Sequence, residues 1–192
     1  MAVVVWLVRI LDLINEWVGR IVSWLTVTMV ITVFVVVVLR YGFSLGWIWM
    51  QEIYVWMHGA LFMLAAGYTL LHNGHVRIDL IYRTASARYK AVVDFFGSLL
   101  FILPLVWLTW EKSVPMAERS WMRLESSPEA EGMPGLFLLK TVIPIFCVLM
   151  GMAGVSMMLR SLLRFFGIEI EPDYADDKDS GGADTAMEGA RE

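Results

Sequence analysis

The sequence predicts an all-α integral membrane protein with four transmembrane helices, an N-terminal amphipathic helix and an outer interfacial segment. Three observations carry that prediction. The 192-residue chain is 58% hydrophobic, with nine tryptophans and only 18% charged residues. A soluble domain of this size cannot hide so much apolar surface. Three runs, Ile21–Leu39, Ile53–Leu71 and Thr141–Leu159, contain no Asp, Glu, Lys or Arg, and at ~1.5 Å per residue each reaches roughly 28 Å, close to a bilayer's ~30 Å hydrocarbon core. Finally, basic residues and tryptophans are segregated between alternate connections, as membrane topology requires.

The first element covers residues 1–20. Arg9, Asp12, Glu16 and Arg20 recur there at spacings of three and four and share one helical face. The expectation is an amphipathic helix, lying in the cytoplasmic interface or packed on a partner. Residues 1–8 hold no basic charge and no small-residue cleavage site precedes Arg9, so the start does not read as a signal peptide. The first transmembrane helix follows at 21–39.

Residues 40–52 form an aromatic, weakly polar segment expected to lie along the outer membrane surface, bounded by Arg40 and Glu52. Charges at that depth can snorkel, and these two could pair with each other or with a partner protein. The second transmembrane helix spans 53–72. It contains His58, expected to be a buried, hydrogen-bonded histidine rather than a proton relay.

The basic cytoplasmic loop, 73–90, opens with His-Asn-Gly, and Gly74 suits the left-handed position after a helix. Arg77, Arg83, Arg88 and Lys90 stand where anionic headgroups would meet them. Asp79 lies four residues from both His75 and Arg83, so a local ion pair is its simplest role. His72 and His75 make half a zinc site at most, and no nucleophile or paired carboxylate accompanies them.

The third transmembrane helix is expected at 91–110, with Asp94 at its inner interface, and a periplasmic loop at 111–134. The fourth spans 135–160, with Lys140 able to reach its outer edge. Pro104 and Pro144 can kink these helices, and Gly151-x-x-Gly154 permits close helix packing. Cys147, the single cysteine, lies inside the fourth apolar run, so no intramolecular disulfide is possible. Residues 171–192 hold eight acids and two bases, a composition expected to leave a disordered, solvated tail.

Orientation follows from charge. Residues 72–91 carry four bases and one acid, whereas Glu111–Pro134 carries three bases and five acids. Arg9 and Arg20 precede the first span, and Arg160 and Arg164 follow the fourth. Four crossings then put both termini in the cytoplasm, with Trp47, Trp49, Trp107 and Trp110 forming an aromatic belt at the outer face.

The spans are nearly bare of the polar midplane residues and inverted repeats that a self-sufficient carrier needs. Catalytic, cofactor-binding and metal sites are not expected, nor is nucleic acid as a partner, so the chain does not read as an enzyme. Two rival readings each lack a feature they require. A haem-bearing membrane anchor of a respiratory enzyme needs axial ligands from facing spans, yet all three histidines belong to span two or its inner end. A self-assembling four-helix exporter needs a membrane-embedded acid, whereas Glu52 and Asp94 fall at helix ends.

Arg40-Tyr-Gly-Phe43, the Trp-rich segment running into Glu52, Gly74-His-Val-Arg-Ile-Asp79 and the Lys140…Pro144 start of the last helix occur in order. In that order, over about residues 15–165, the chain resembles the small membrane subunit of tripartite ATP-independent periplasmic (TRAP) transporters. Gln51 departs from the pattern, since many members carry a second acid before the glutamate. The resemblance implies a secondary transporter in the bacterial inner membrane, taking up an organic acid. A periplasmic substrate-binding protein would deliver the acid, and a large membrane subunit would hold the substrate and sodium sites. This chain would brace the large subunit within the lipid bilayer, with Arg40, Glu52, Gly74, His75, Arg77 and Asp79 as candidate interface or anchoring residues. The tail ends at Glu192 with no linker to a further span, so the large subunit is expected to be a separate chain.

Overall fold

A computed structural model describes residues 2–75 and 86–168 of the chain. The loop carrying Arg77, Asp79 and Arg83, and the acidic tail 171–192, lie outside the described residues. Among those described, the secondary structure is helical. Helix α1 covers Ala2–Gly42, α2 Ile48–Leu64, α3 Ala66–Leu71 and α4 Ala87–Gly97. A π-helical turn, Ser98–Ile102, leads into α5, Leu103–Met122, and α6 covers Leu136–Phe165. Among the described residues, three stretches are long and apolar enough to cross a membrane: Val3–Gly42, Arg88–Met122 and Leu136–Phe165.

Helix α1 is continuous through the expected boundary at residue 20, and its 41 residues reach roughly 62 Å. Gly19, the one helix-weakening residue at that boundary, does not stop the helix, because it is buried against Tyr68. The carboxylates of the helix's polar face are turned inward, while Arg9 and Arg20 stay exposed. Val8, Asp12, Asn15, Glu16, Gly19 and Val22 are buried, while Trp6, Leu13, Trp17, Ile21 and Trp24 are exposed. The buried face packs on α3 and α6 of the same chain, so the partner of this amphipathic helix is the chain's own bundle.

Glycines set the closeness of that packing. A Cβ on Gly19 would fall 2.3 Å from the Tyr68 ring, and one on Gly67 would fall 2.1 Å from Asn15 Oδ1. Helices α2 and α3 are separated only by Ala65, which keeps a near-helical φ of −82° and ψ of −6°. The pair therefore continues as one rod from Ile48 to Leu71.

The link between α1 and α2 is shorter than the expected 40–52 segment, because α1 runs to Gly42 and α2 starts at Ile48. The expected loop at 111–134 likewise begins as helix: α5 continues to Met122. Ser113, Ala117 and Ser120 explain the extension. They are buried at spacings of four and three on one face of α5, and α5 packs on α6.

The π-helical turn Ser98–Ile102 lies opposite the small-residue pair of α6. A Cβ on Gly154 would meet Ile102 Cγ2 at 2.8 Å, and one on Gly151 would meet Val106 at 3.4 Å. Leu70, Leu71 and Ala153 form the buried apolar core, flanked by Ile102, Met150 and Met157.

Candidate functional site

Polar side chains gather at the two ends of the bundle, and each gathering ties distant parts of the chain. At the end containing the start of α1, Asp12 pairs with Arg160 and accepts a hydrogen bond from Ser156 Oγ. Asp12 is only 6% exposed. A carboxylate so placed is tolerable because a guanidinium and a hydroxyl replace its water shell.

One turn further along α1, Glu16 Oε2 lies 2.7 Å from His72 Nε2, and Glu16 Oε1 accepts from Arg20 Nε at 2.7 Å. Tyr68 stacks beside His72, ring centroids 4.3 Å apart. His72 is thus engaged by α1 and not by His75, which is exposed. Among the described residues no three His, Cys, Asp or Glu side chains gather as a metal-ligand set.

The turn after α3 differs in one detail from expectation. Asn73, not Gly74, adopts the left-handed conformation, with φ of 53°. Asn73 N–H donates to Leu70 O at 3.2 Å, and Gly74 N–H donates to Thr69 O at 2.8 Å. Those two bonds close a Schellman motif, with Asn tolerated in the left-handed region. Glycine at the next position leaves room instead: a Cβ there would fall 2.9 Å from Thr69 Cγ2.

At the opposite end, Glu52 accepts from Ser127 Oγ and, at 2.5 Å, from the Met133 backbone N–H. One carboxylate in the first turns of α2 thus clamps both limbs of the loop between α5 and α6. Glu125 in the same loop accepts from Lys140 Nζ and Ser120 Oγ, each at 2.6 Å. The Lys140 ammonium, followed by the Ser120 hydroxyl, holds the Glu125 carboxyl below its ordinary value of 4.5. Trp121 Nε1 donates to Thr141 Oγ1 at 2.8 Å, fixing the end of α5 on α6.

Of the two pairings open to Arg40 and Glu52, with each other or with a partner protein, the first is absent among the described residues. Arg40 is exposed in the last turn of α1, and the Glu52 oxygens are taken by the loop, whose hydroxyl and amide approach from the near side. His58 is also exposed on α2, contrary to the expected burial, because the residues of α2 that approach α6 lie on another face, around Gly59, which faces Leu139. Of the six candidate residues, Glu52 and Gly74 have structural roles within the chain, Arg40 and His75 are exposed, and Arg77 and Asp79 lie outside the described residues.

Sequence reasoning missed Asn15, Ser127, Ser156 and the partners of Asp12, Glu16 and Glu52. Only one signal pointed to them: carboxylates placed on a face that also carries buried apolar residues. Between the two ends, hydroxyls turn back to their own helices, Thr28 to Trp24 O, Thr32 to Thr28 O and Thr109 to Leu105 O. This arrangement ties the helices together at the two ends and leaves long apolar faces outward.

Residues 29–164 match the family described as tripartite ATP-independent periplasmic transporters, DctQ component. No curated protein and no solved structure matches the chain significantly. The match covers most of the chain and includes α2 to α5 and nearly all of α6, but not the start of α1 with Asp12 and Glu16, in a family of transporter components rather than enzymes. The chain belongs to the DctQ-component family of tripartite ATP-independent periplasmic transporters.

Proposed function

We propose that this chain is the bracing membrane subunit of a sodium-coupled TRAP transporter for an organic acid. It holds no substrate site, and the large membrane subunit carries the substrate and the sodium ions. The periplasmic binding protein delivers the acid to the complex in the bacterial inner membrane. The α2–α3 rod, roughly 36 Å long at ~1.5 Å per residue, supplies a fourth crossing beside the three long helices. Both termini and the basic 73–90 connection then face the cytoplasm, in keeping with the positive-inside bias.

One observation carries this reading. The described acidic side chains that tie helices together lie at the bundle ends and are engaged within the chain, as in Asp12–Arg160, Glu16–His72, Glu52–Ser127 and Glu125–Lys140. A carrier would instead hold polar groups available near the midplane. The exposed sides of the helices, with Trp24, Phe34, Phe62, Phe101 and Trp107 outward, suit lipid and a membrane partner.

The test is reconstitution in liposomes under an inward sodium gradient. The expected result is uptake of a labelled organic acid only when the large subunit and binding protein are both present. Uptake by this chain alone would overturn the reading. Orientation is read separately: a cysteine at Ser126 should react with an impermeant reagent from outside and one at Ser86 should not.

A further inference from the structure

Helix α6 is the common neighbour in the bundle. Helices α1, α2 and α3 pack on it as one group and α4 and α5 as another, and the two groups make no extensive contact with each other among the described residues. Contacts along α6 fix their relative heights. Gly59 faces Leu139 and Gly67 faces the Leu149 carbonyl, so exposed Phe62 stands level with Ile143. In the second group Val106 faces Gly151 and Trp121 donates to Thr141, so exposed Glu118 stands at the same height. Phe62 is the middle of the uncharged run Ile53–Leu71. Glu118 lies well past the end of its own, Phe95–Trp110, on a face with exposed Glu111, Lys112 and Arg119.

The other end shows the reverse. Ile102 faces Gly154, and Ser156 Oγ donates to Asp12, which puts Phe101 level with Leu13, both exposed. Here Phe101 is near the middle of its uncharged run, and Leu13 precedes the run of α1, Ile21–Leu39, in a stretch with exposed Arg9 and Arg20. Each group is therefore apolar where the other is charged. Their apolar belts are displaced along α6 by about 11 residues, or ~16 Å at ~1.5 Å per residue.

We propose that the surface this chain offers to the bilayer is an oblique belt, with the bundle axis inclined roughly 40° from the membrane normal, at the upper end of the range for membrane helices. The two groups are centred about one and a half to two helix spacings apart, roughly 13–20 Å at 8–10 Å per spacing. A slab that meets both belts therefore crosses the bundle aslant. An upright seat would sink Glu111, Lys112, Glu118 and Arg119 to the depth of Phe62, where exposed charge is costly. On the slanted seat Trp107 and Trp110 close the belt on α5, and Trp17 with Arg20 closes it on α1, as aromatic rings and cations of the headgroup layer. The length of α1 agrees. Roughly 62 Å overshoots a whole bilayer of ~40–45 Å, and an inclination of about 40° reduces its depth to about 47 Å. The seat depends on the chain lying in a membrane and is independent of any transport role.

The experiment places nitroxide labels on the full chain in liposomes, in a Cys147→Ala background, and measures their depth by power saturation. Phe62→Cys should carry its label near the bilayer centre and Glu118→Cys outside the hydrocarbon, about 15 Å or more apart. Phe101→Cys and Leu13→Cys should differ by as much, with the label at Phe101 the deeper. Equal depths within each pair would overturn the slanted seat. A difference in one pair alone would mean that the bilayer deforms around an upright bundle, and would overturn it equally. Polarised infrared spectroscopy of the unlabelled parent chain in oriented bilayers supplies a measurement free of substitutions. It should give a mean helix inclination of roughly 40°, against the ~20° usual for membrane helices. A value near that usual inclination would overturn the proposal whatever the labels show. If the Cys147→Ala background loses helical content, the infrared result alone decides.

Discussion

Asp12 on α1 and Arg160 on α6 form a buried ion pair across 148 positions of sequence, with Ser156 Oγ completing the carboxylate's bonding. The pair fixes the first helix to the last. It therefore governs how the N-terminal half of α1, otherwise lined outward with Trp6, Leu13 and Trp17, is held against the bundle.

Removing either partner leaves the other charge buried and unmatched. Arg160→Ala or Asp12→Ala should each lower stability by about 3–5 kcal/mol, read as thermal unfolding in detergent. Exchanging the charges, Asp12→Arg with Arg160→Asp, should recover part of the loss. Single variants that melt with the parent would show that the pair contributes nothing.

The Glu52 clamp predicts a local effect with little global cost. A charge-assisted hydrogen bond contributes about 1.5–3 kcal/mol, so Glu52→Ala should free the Ser127–Met133 limb. Hydrogen exchange at Met133 should accelerate by about 10-fold or more, while α6 stays protected. Glu52→Gln, which keeps one acceptor oxygen, should fall between. Unchanged exchange at Met133 in the Ala variant would sink the clamp.

The helical class and the long apolar runs were legible in the sequence, because each follows from composition over a window of residues. So was Gly151-x-x-Gly154, whose spacing alone marks a close-packing face. The ties at the ends were not. Asp12 and Glu16 were read as one polar stripe, and only the fold reveals that the stripe turns inward, because its partners Arg160 and His72 are far off in sequence. The Asn73–Gly74 exchange of roles was hidden for a local reason: both residues tolerate the left-handed region, and the sequence alone does not say which adopts it.

The loop at the Glu52 end should also respond to acid through Glu125. Its carboxyl is held below the ordinary value of 4.5 by the Lys140 ammonium and the Ser120 hydroxyl. A depressed folded value means the contribution is complete above that ordinary value and declines as pH falls through the lowered one. Protection of the Leu124–Ser127 stretch should thus persist through mild acid and weaken only below the ordinary carboxylate range. Glu125→Gln should abolish that dependence. A dependence that survives the substitution would assign it to another group.

The approach of α1 to α3 at Asn15 and Gly67 gives the sharpest packing test. Asn15 Nδ2 donates to Leu11 O at 3.0 Å, while its buried Oδ1 has no hydrogen-bond partner among the described residues. A methyl at position 67 would fall 2.1 Å from that oxygen but 3.1 Å from Leu149 O. Gly67→Ala alone should therefore destabilise by about 1–3 kcal/mol through overpacking. Asn15→Ala alone should cost about 1 kcal/mol, for the Nδ2 bond to Leu11 O and the buried packing it removes, since its oxygen forms no bond with the described residues. Combining them should recover more than half of the Gly67→Ala loss, because the nearest clash is gone and only the Leu149 carbonyl must shift by a few tenths of an ångström. The measurement is a double-mutant cycle on thermal unfolding, with a coupling energy favourable to the pair. Strictly additive effects would mean that the Leu149 backbone, not Asn15, sets the distance between the two helices.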